Sequence, residues 1–166
     1  MKSPKAALSI LAAILALDVG TKYLAQAFLS RIHSLAIIPN FFHLTYVENR
    51  GAAFGFLAET SARFRIPFFI FISLVAIVVI VILYRKAEGG AWIHLALIFI
   101  LGGALGNLID RLRFGWVIDF LDFHWYHHHW PAFNVADTAI SIGVGMLIID
   151  MFLSKKGRIS GASHTF

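Results

Sequence analysis

The chain has 166 residues, 59% of them hydrophobic, and a mean hydropathy of +0.79. A soluble domain is about half apolar or less, so this excess points to a membrane protein, and the length suits one compact bundle with little room for a second domain. The net charge of +5 fits basic cytoplasmic ends near anionic lipid; the absence of a basic stripe with interleaved aromatics argues against nucleic acid, and the absence of cysteine excludes disulfides, thiolate zinc sites, a cysteine nucleophile and a lipid anchor on the chain's own cysteine.

The first element starts like a secretory signal, with Lys2 and Lys5 before an apolar run from Ala6 to Leu17, and "AQA" at Ala25 to Ala27 resembles a cleavage site. Asp18 and Lys22 interrupt the region a signal peptide keeps apolar. They stand i,i+4 with the acid first, the favourable order for a helical pair. The reading is therefore a retained helix over residues 6–29. A second span covers 66–84, with no charge in "IPFFIFISLVAIVVIVIL". A basic turn with Arg85 and Lys86 leads to a third span over 91–110, and a fourth covers 133–153. Each comes close to the roughly 20 residues needed to cross about 30 Å of hydrocarbon. The residues at 154–166 form a polar tail.

Four spans put both termini on one side. The proposed inner segments carry seven basic residues and the longer outer loops six, and every lysine outside the spans is inner. Both termini are thus expected in the cytoplasm. The outer loop within 30–65 contains "LAIIPNFFHLTYVENRGAAFGF", whose β-branched and aromatic residues, punctuated by Pro39 and Gly51, suggest short strands lying on the outer membrane surface. The expected fold is all-α in the membrane, four transmembrane helices with a small extracytoplasmic β-cradle. The second outer loop contains "FHWYHHHW", in which Trp125, Tyr126 and Trp130 suit an interfacial belt.

Ionisable groups in or near spans need a partner or a role. Asp18 has Lys22, and Asp150 reads as an interfacial acid near Lys155. In "GGALGNLIDR", Gly102 and Gly106 permit close helix approach, and Asn107 converges with Asp110 and Arg111 at i,i+3 and i,i+4. Those two charges read as bracing groups. Asp119 is flanked by Val117, Ile118 and Phe120, an apolar setting that disfavours its ionised form; Asp122 reads as an ordinary loop acid. Asn134 and Asp137 open the last span. Asp119 and Asp137 can meet across a short loop, and two neighbouring carboxylates tend to share one proton. One then acts as base toward a water while the other donates to a carbonyl oxygen. Helix capping and salt bridging remain the plain alternative for each acid. His124, His127, His128 and His129 match no zinc signature and read as exposed interfacial histidines. No GxSxG elbow or phosphate loop occurs.

Five blocks resemble lipoprotein signal peptidase, the bacterial signal peptidase II family: "DVGTK" at Asp18, "VENRGAAFGF" at Val47, "GGALGNLIDR" at Gly102, "VIDF" at Val117 and "FNVADTAI" at Phe133. They follow the family's order and spacing; the histidine-rich stretch is outside its pattern. The resemblance implies a metal-free aspartic peptidase of the bacterial inner membrane, with Asp119 and Asp137 catalytic at the periplasmic side. It implies substrate-binding or supporting roles for Asp18, Lys22, Asn49, Gly51, Asn107, Asp110, Arg111, Asn134 and Ala136. The implied substrates are diacylglyceryl prolipoproteins, cut just before the lipidated cysteine, and globomycin-like cyclic peptides are implied inhibitors. No cofactor is expected, and membrane lipids are the other partners. In "NRGAAF", Gly51 and two alanines are small enough for a peptide backbone to approach, and Asn49 and Asn134 can hold peptide groups or orient the carboxylates. Two other classes are weighed against this reading, a small proton-coupled transporter and a non-catalytic membrane scaffold.

Overall fold

In a computed structural model the described residues are 4–51, 57–88 and 90–160, with side chains described as far as Leu153. The elements run α1 (Pro4–Ile32), β1 (Ser34–Ile38), β2 (Phe42–Asn49), α2 (Ala62–Lys86), α3 (Ala91–Phe114), β3 (Val117–Trp125), β4 (His128–His129) and α4 (Val135–Ser160). All four helices are long and apolar enough to cross a membrane. At 1.5 Å per residue even the shortest exceeds the roughly 30 Å of a hydrocarbon core. Their outer faces bear large exposed apolar side chains, such as Phe71 and Val78 on α2 and Phe152 on α4. In water such faces would drive aggregation; in lipid they are the solvated surface.

Helix α3 is the hub and packs against α1, α2 and α4. Small residues allow this. A side chain at Gly102 would strike Ile14 of α1, one at Gly106 would strike Asp18, and one at Gly103 would strike the Ala136 carbonyl of α4. Ile14, Ile98 and Ala139 form a buried cluster between α1, α3 and α4.

Several boundaries differ from expectation, and α1 and α3 run past their expected spans of 6–29 and 91–110. Helix α2 begins at Ala62, so Arg63 and Arg65 belong to its first turn rather than to a loop. Arg65 is buried there, and its guanidinium donates to the carbonyls of Ala58 and Thr60 at 2.8 and 3.2 Å. Helix α4 continues to Ser160, into the stretch expected to be a polar tail. The strands were expected within 30–65, yet only β1 and β2 lie there. β3 and β4 come from the second outer loop and complete an antiparallel sheet in the order β1-β2-β3-β4.

The pairing brings distant residues together. Asn49 stands opposite Val117, Val47 opposite Asp119 and His43 opposite Asp122, with an irregularity between Leu44 and Val47. Ala25 and Leu29 of α1 pack with Ile118 and Phe120 of β3. Fully burying a side chain of this size stabilises by about 1.5–3 kcal/mol, so the sheet is fixed onto the end of α1. The turn from α3 to β3 needs Gly115, whose φ of 81° is left-handed and whose N–H returns to the Arg111 carbonyl at 3.0 Å. This cap reverses the chain within two residues and lays β3 back beside α3.

Candidate active site

Asp119 sits within β3 and is 1% exposed. Asp137 lies in the first turn of α4. Both line a cavity of about 970 Å³ at the end of the bundle that carries the sheet. Its walls include Asn49 at the end of β2 and Arg50 just after it, Asn107 and Arg111 of α3, Trp130 to Phe133, and Thr138 and Ser141 of α4.

Two amides hold Asp119. Asn49 Nδ2 donates to its Oδ2 at 2.8 Å, and Asn134 Nδ2 donates to its Oδ1 at 2.6 Å. Asn49 itself is held by the Gly51 N–H, which donates to its side-chain oxygen at 3.1 Å. Asn134 also opens α4. Its side-chain oxygen accepts the Asp137 N–H at 2.9 Å, while its own N–H donates to Asp137 Oδ2 at 3.3 Å. This reciprocal arrangement caps the helix. The capping alternative for Asp137 is therefore realised, and the same bonds aim Asn134 at Asp119. The other oxygen of Asp137 accepts from Asn107 Nδ2 at 2.7 Å.

Behind the two acids lies a buried charged cluster. Lys22 Nζ contacts Asp18 Oδ2 at 2.8 Å and Asp110 Oδ2 at 3.0 Å, and donates to Asn107 Oδ1 at 3.0 Å. Asp110 accepts the Ile118 N–H at 3.1 Å, and Asp18 accepts the Ala136 N–H at 2.8 Å. Lysine donates only, so Asn107 must turn its oxygen toward Lys22 and its NH₂ toward Asp137. Asp18 and Asp110 in turn tie α1 to α4 and α3 to β3. Arg111 points over the Phe69 ring at 5.3 Å and donates to the Asn107 carbonyl at 3.3 Å.

Burial is the main cause that pushes the Asp119 carboxyl up to about 7, and the nearby Asp137 adds to it; the Asn49 and Asn134 amides and Lys22 act the other way. A carboxyl in that range keeps a proton near neutrality and can exchange it, as a general acid or base requires.

Every site residue singled out in the sequence lies in this assembly. Asp119, Asp137, Asn49, Asn107 and Asn134 make its centre, Asp18, Lys22 and Asp110 its back, and Gly51, Arg111 and Ala136 its flanks. Ala52 and Ala53 of "NRGAAF" fall outside the described residues. Two readings of the second outer loop are corrected. Asp122 is a buried strand residue, 8% exposed, because β3 extends through it. His124 is likewise 7% exposed, whereas His129 remains half-exposed beside Asp122. The cavity wall at Trp130 to Phe133 was missed altogether. Among the described residues no three His, Asp or Glu side chains are placed to hold a metal ion.

A family model described as Signal peptidase (SPase) II matches residues 10–153. A lipoprotein signal peptidase of Syntrophotalea carbinolica is 52% identical over 137 residues, covering 82% of this chain and 84% of that protein. One of Geobacter sulfurreducens is 50% identical over 145 residues, covering 86% and 88%. Among solved structures, a bacterial membrane enzyme determined in meso at 2.3 Å resolution superposes with a TM-score of 0.80 at 30% identity, covering 93% of this chain and 92% of that one.

Proposed function

The chain belongs to the signal peptidase II family, and from that premise we propose that this lipoprotein signal peptidase works as an aspartic endopeptidase, with Asp119 and Asp137 as its reacting pair. The observation that carries the reading is the joint placement of two carboxylates in one cavity, each held by an asparagine amide, with Asp119 raised toward neutrality by burial. A shared proton divides the labour. The ionised carboxylate takes a proton from water as its oxygen attacks the scissile carbonyl carbon, and the protonated one donates to the carbonyl oxygen. Collapse of the tetrahedral intermediate breaks the C–N bond as the amine leaves protonated. No covalent enzyme intermediate forms.

The substrate is a prolipoprotein bearing a diacylglyceryl cysteine, cut just before that cysteine. Such a substrate stays in the bilayer and must enter from the side, with its signal helix among the spans and its acyl chains along apolar helix faces. Asn49 and Arg111 face the cavity where its backbone would lie. Asp18, Lys22, Asn107, Asp110, Asn134 and Ala136 support the pair from behind, and Gly51 fixes Asn49. The protein sits in the bacterial inner membrane with both termini cytoplasmic and the sheet-bearing end periplasmic. Globomycin-like cyclic peptides occupy the same cavity.

The test is a purified, vesicle-reconstituted assay with a diacylglyceryl prolipoprotein, run with and without globomycin. The expected result is release of the signal peptide, requirement for the lipid and block by globomycin. Ion flux across the vesicle without cleavage would instead support the carrier class, and neither activity would support a scaffold.

A further inference from the structure

The linker between the two aspartates runs back along the strand it leaves. After Asp119, β3 carries Asp122 and His124; the chain turns at Tyr126 and His127, pairs through β4, and passes Trp130 to Phe133 before Asp137. Trp130 N donates to the Phe123 carbonyl at 2.8 Å, and Phe133 and Leu121 exchange backbone bonds at 3.1 and 2.8 Å. Residues 130–133 thereby cover the edge of β3 next to Asp119 and form one wall of the cavity.

The turn that sends them there is costly. Tyr126 has a φ of 53°, a left-handed conformation that a bulky residue rarely adopts without support from its surroundings. Side chains provide that support. His124 Nδ1 donates to the Tyr126 carbonyl at 2.9 Å. His129 Nδ1 donates to both carboxylate oxygens of Asp122, at 2.9 and 3.1 Å. The His129 ring stacks on His124 with centroids 4.5 Å apart, and His43 of β2 meets His124 edge-on at 4.3 Å. The carboxylate–imidazole contact stands whether the ring is neutral or charged.

We propose that the Asp122–His129 pair is a positioning element for the reaction, fastening the linker between the two aspartates so that Trp130 to Phe133 stay closed against Asp119. The proposal rests on the reading of Asp119 and Asp137 as the reacting pair. Its effect on Asp119 is through water. Burial is what holds that carboxyl up at about 7. Asp137 of α4, Lys22 of α1 and Arg111 of α3 face it, and Glu48 of β2 and Arg50 just after that strand line the same cavity. A loosened wall leaves those charges in place and admits solvent, so the carboxyl moves back toward its ordinary range.

The experiment measures kcat, KM and the pH–rate profile of the reconstituted enzyme for Asp122→Ala, His129→Ala, the double variant and His129→Asn. His129 is half-exposed, so its replacements fold, which thermal unfolding in detergent verifies. The expected result for His129→Ala is a fall in kcat of about tenfold with KM little changed, as for lost positioning rather than lost binding, and an alkaline limb moved to lower pH. The double variant is no worse than either single one, since both remove the same contact. His129→Asn restores most of the loss, because its amide nitrogen stands where Nδ1 stood. An unchanged kcat and pH profile in folded His129→Ala, or additive losses in the double variant, would overturn the proposal. Asp119→Asn run in parallel separates the two ideas. If it is inactive while His129→Ala is unaffected, only the positioning claim fails; if it turns over normally, the reading of the reacting pair fails and takes the positioning claim with it.

Discussion

The cavity has two unlike sides. Its back is the helical cluster of Asp18, Lys22, Asn107, Asp110 and Asn134, each no more than 8% exposed. Its front is made of strands and connections, with Asn49, Arg50 and Trp130 to Phe133 facing solvent to varying degrees. The back sets which way the Asn107 and Asn134 amides point; the front holds Asp119 through Asn49, itself fixed by the Gly51 N–H, and shields it from water. Disturbing the two sides should therefore produce different failures.

The largest effect is expected at the back. Lys22→Met removes the lysine that bridges Asp18, Asp110 and Asn107 and deprives two buried carboxylates of that cation. Breaking a buried pair in this way costs about 3–5 kcal/mol. Thermal unfolding in detergent should show a large loss of stability together with loss of cleavage. A folded, active Lys22→Met protein would show that the two sides are not as different as argued.

At the front, Asn49→Ala should leave the fold intact and lower kcat by about tenfold, as expected for one charge-assisted hydrogen bond. Its amide favours the ionised form of Asp119. Its loss pushes that carboxyl further up, and the alkaline limb of the pH–rate profile moves to higher pH. This shift is opposite in direction to the one expected for His129→Ala, so the two variants together sharpen the distinction between holding the carboxylate and shielding it.

Asp119 also links stability to pH. Its folded-state carboxyl titrates at about 7, above the ordinary value of about 3.9 in an unfolded chain. Between those values the folded protein binds more protons than the unfolded one, so this residue's contribution to stability falls as pH rises from about 4 to about 7. Asp119→Asn should flatten that part of the curve, measured as unfolding temperature against pH. The smallest effect is expected at the rim. Glu48 and Arg50 form a 2.8 Å pair in which Arg50 is more than half exposed, and Glu48→Gln should change stability by less than about 1 kcal/mol.

The same division explains what the sequence discloses. The helical part was legible because helix neighbours recur every three or four residues. Asp18–Lys22 and Asn134–Asp137 could be paired from spacing, and four apolar runs announced the spans. The strand part was not. "VIDFLDFHW" places Ile118, Phe120, Asp122 and His124 on one face and Val117, Asp119 and Leu121 on the other, so each face mixes apolar and acidic residues. No alternation of polar and apolar side chains marks it as a strand. Its register is set by β2, some 70 positions earlier. For the same reason Asp122 looked like a loop acid and the wall at Trp130 to Phe133 was invisible. The bond from Lys22 to Asn107 spans 85 positions; spacing named both residues but could not join them. The functional assignment drew on the five resembling blocks, which local pattern alone would have left open to capping.

The central claim is that Asp119 and Asp137 carry out peptide hydrolysis as a pair. The most direct measurement is signal-peptide release from a diacylglyceryl prolipoprotein by purified Asp119→Asn and Asp137→Asn proteins, each reconstituted in vesicles after its folding is verified by thermal unfolding. The account predicts that neither variant gives detectable product under conditions where the unaltered enzyme runs to completion. Near-normal turnover by either folded variant would contradict it.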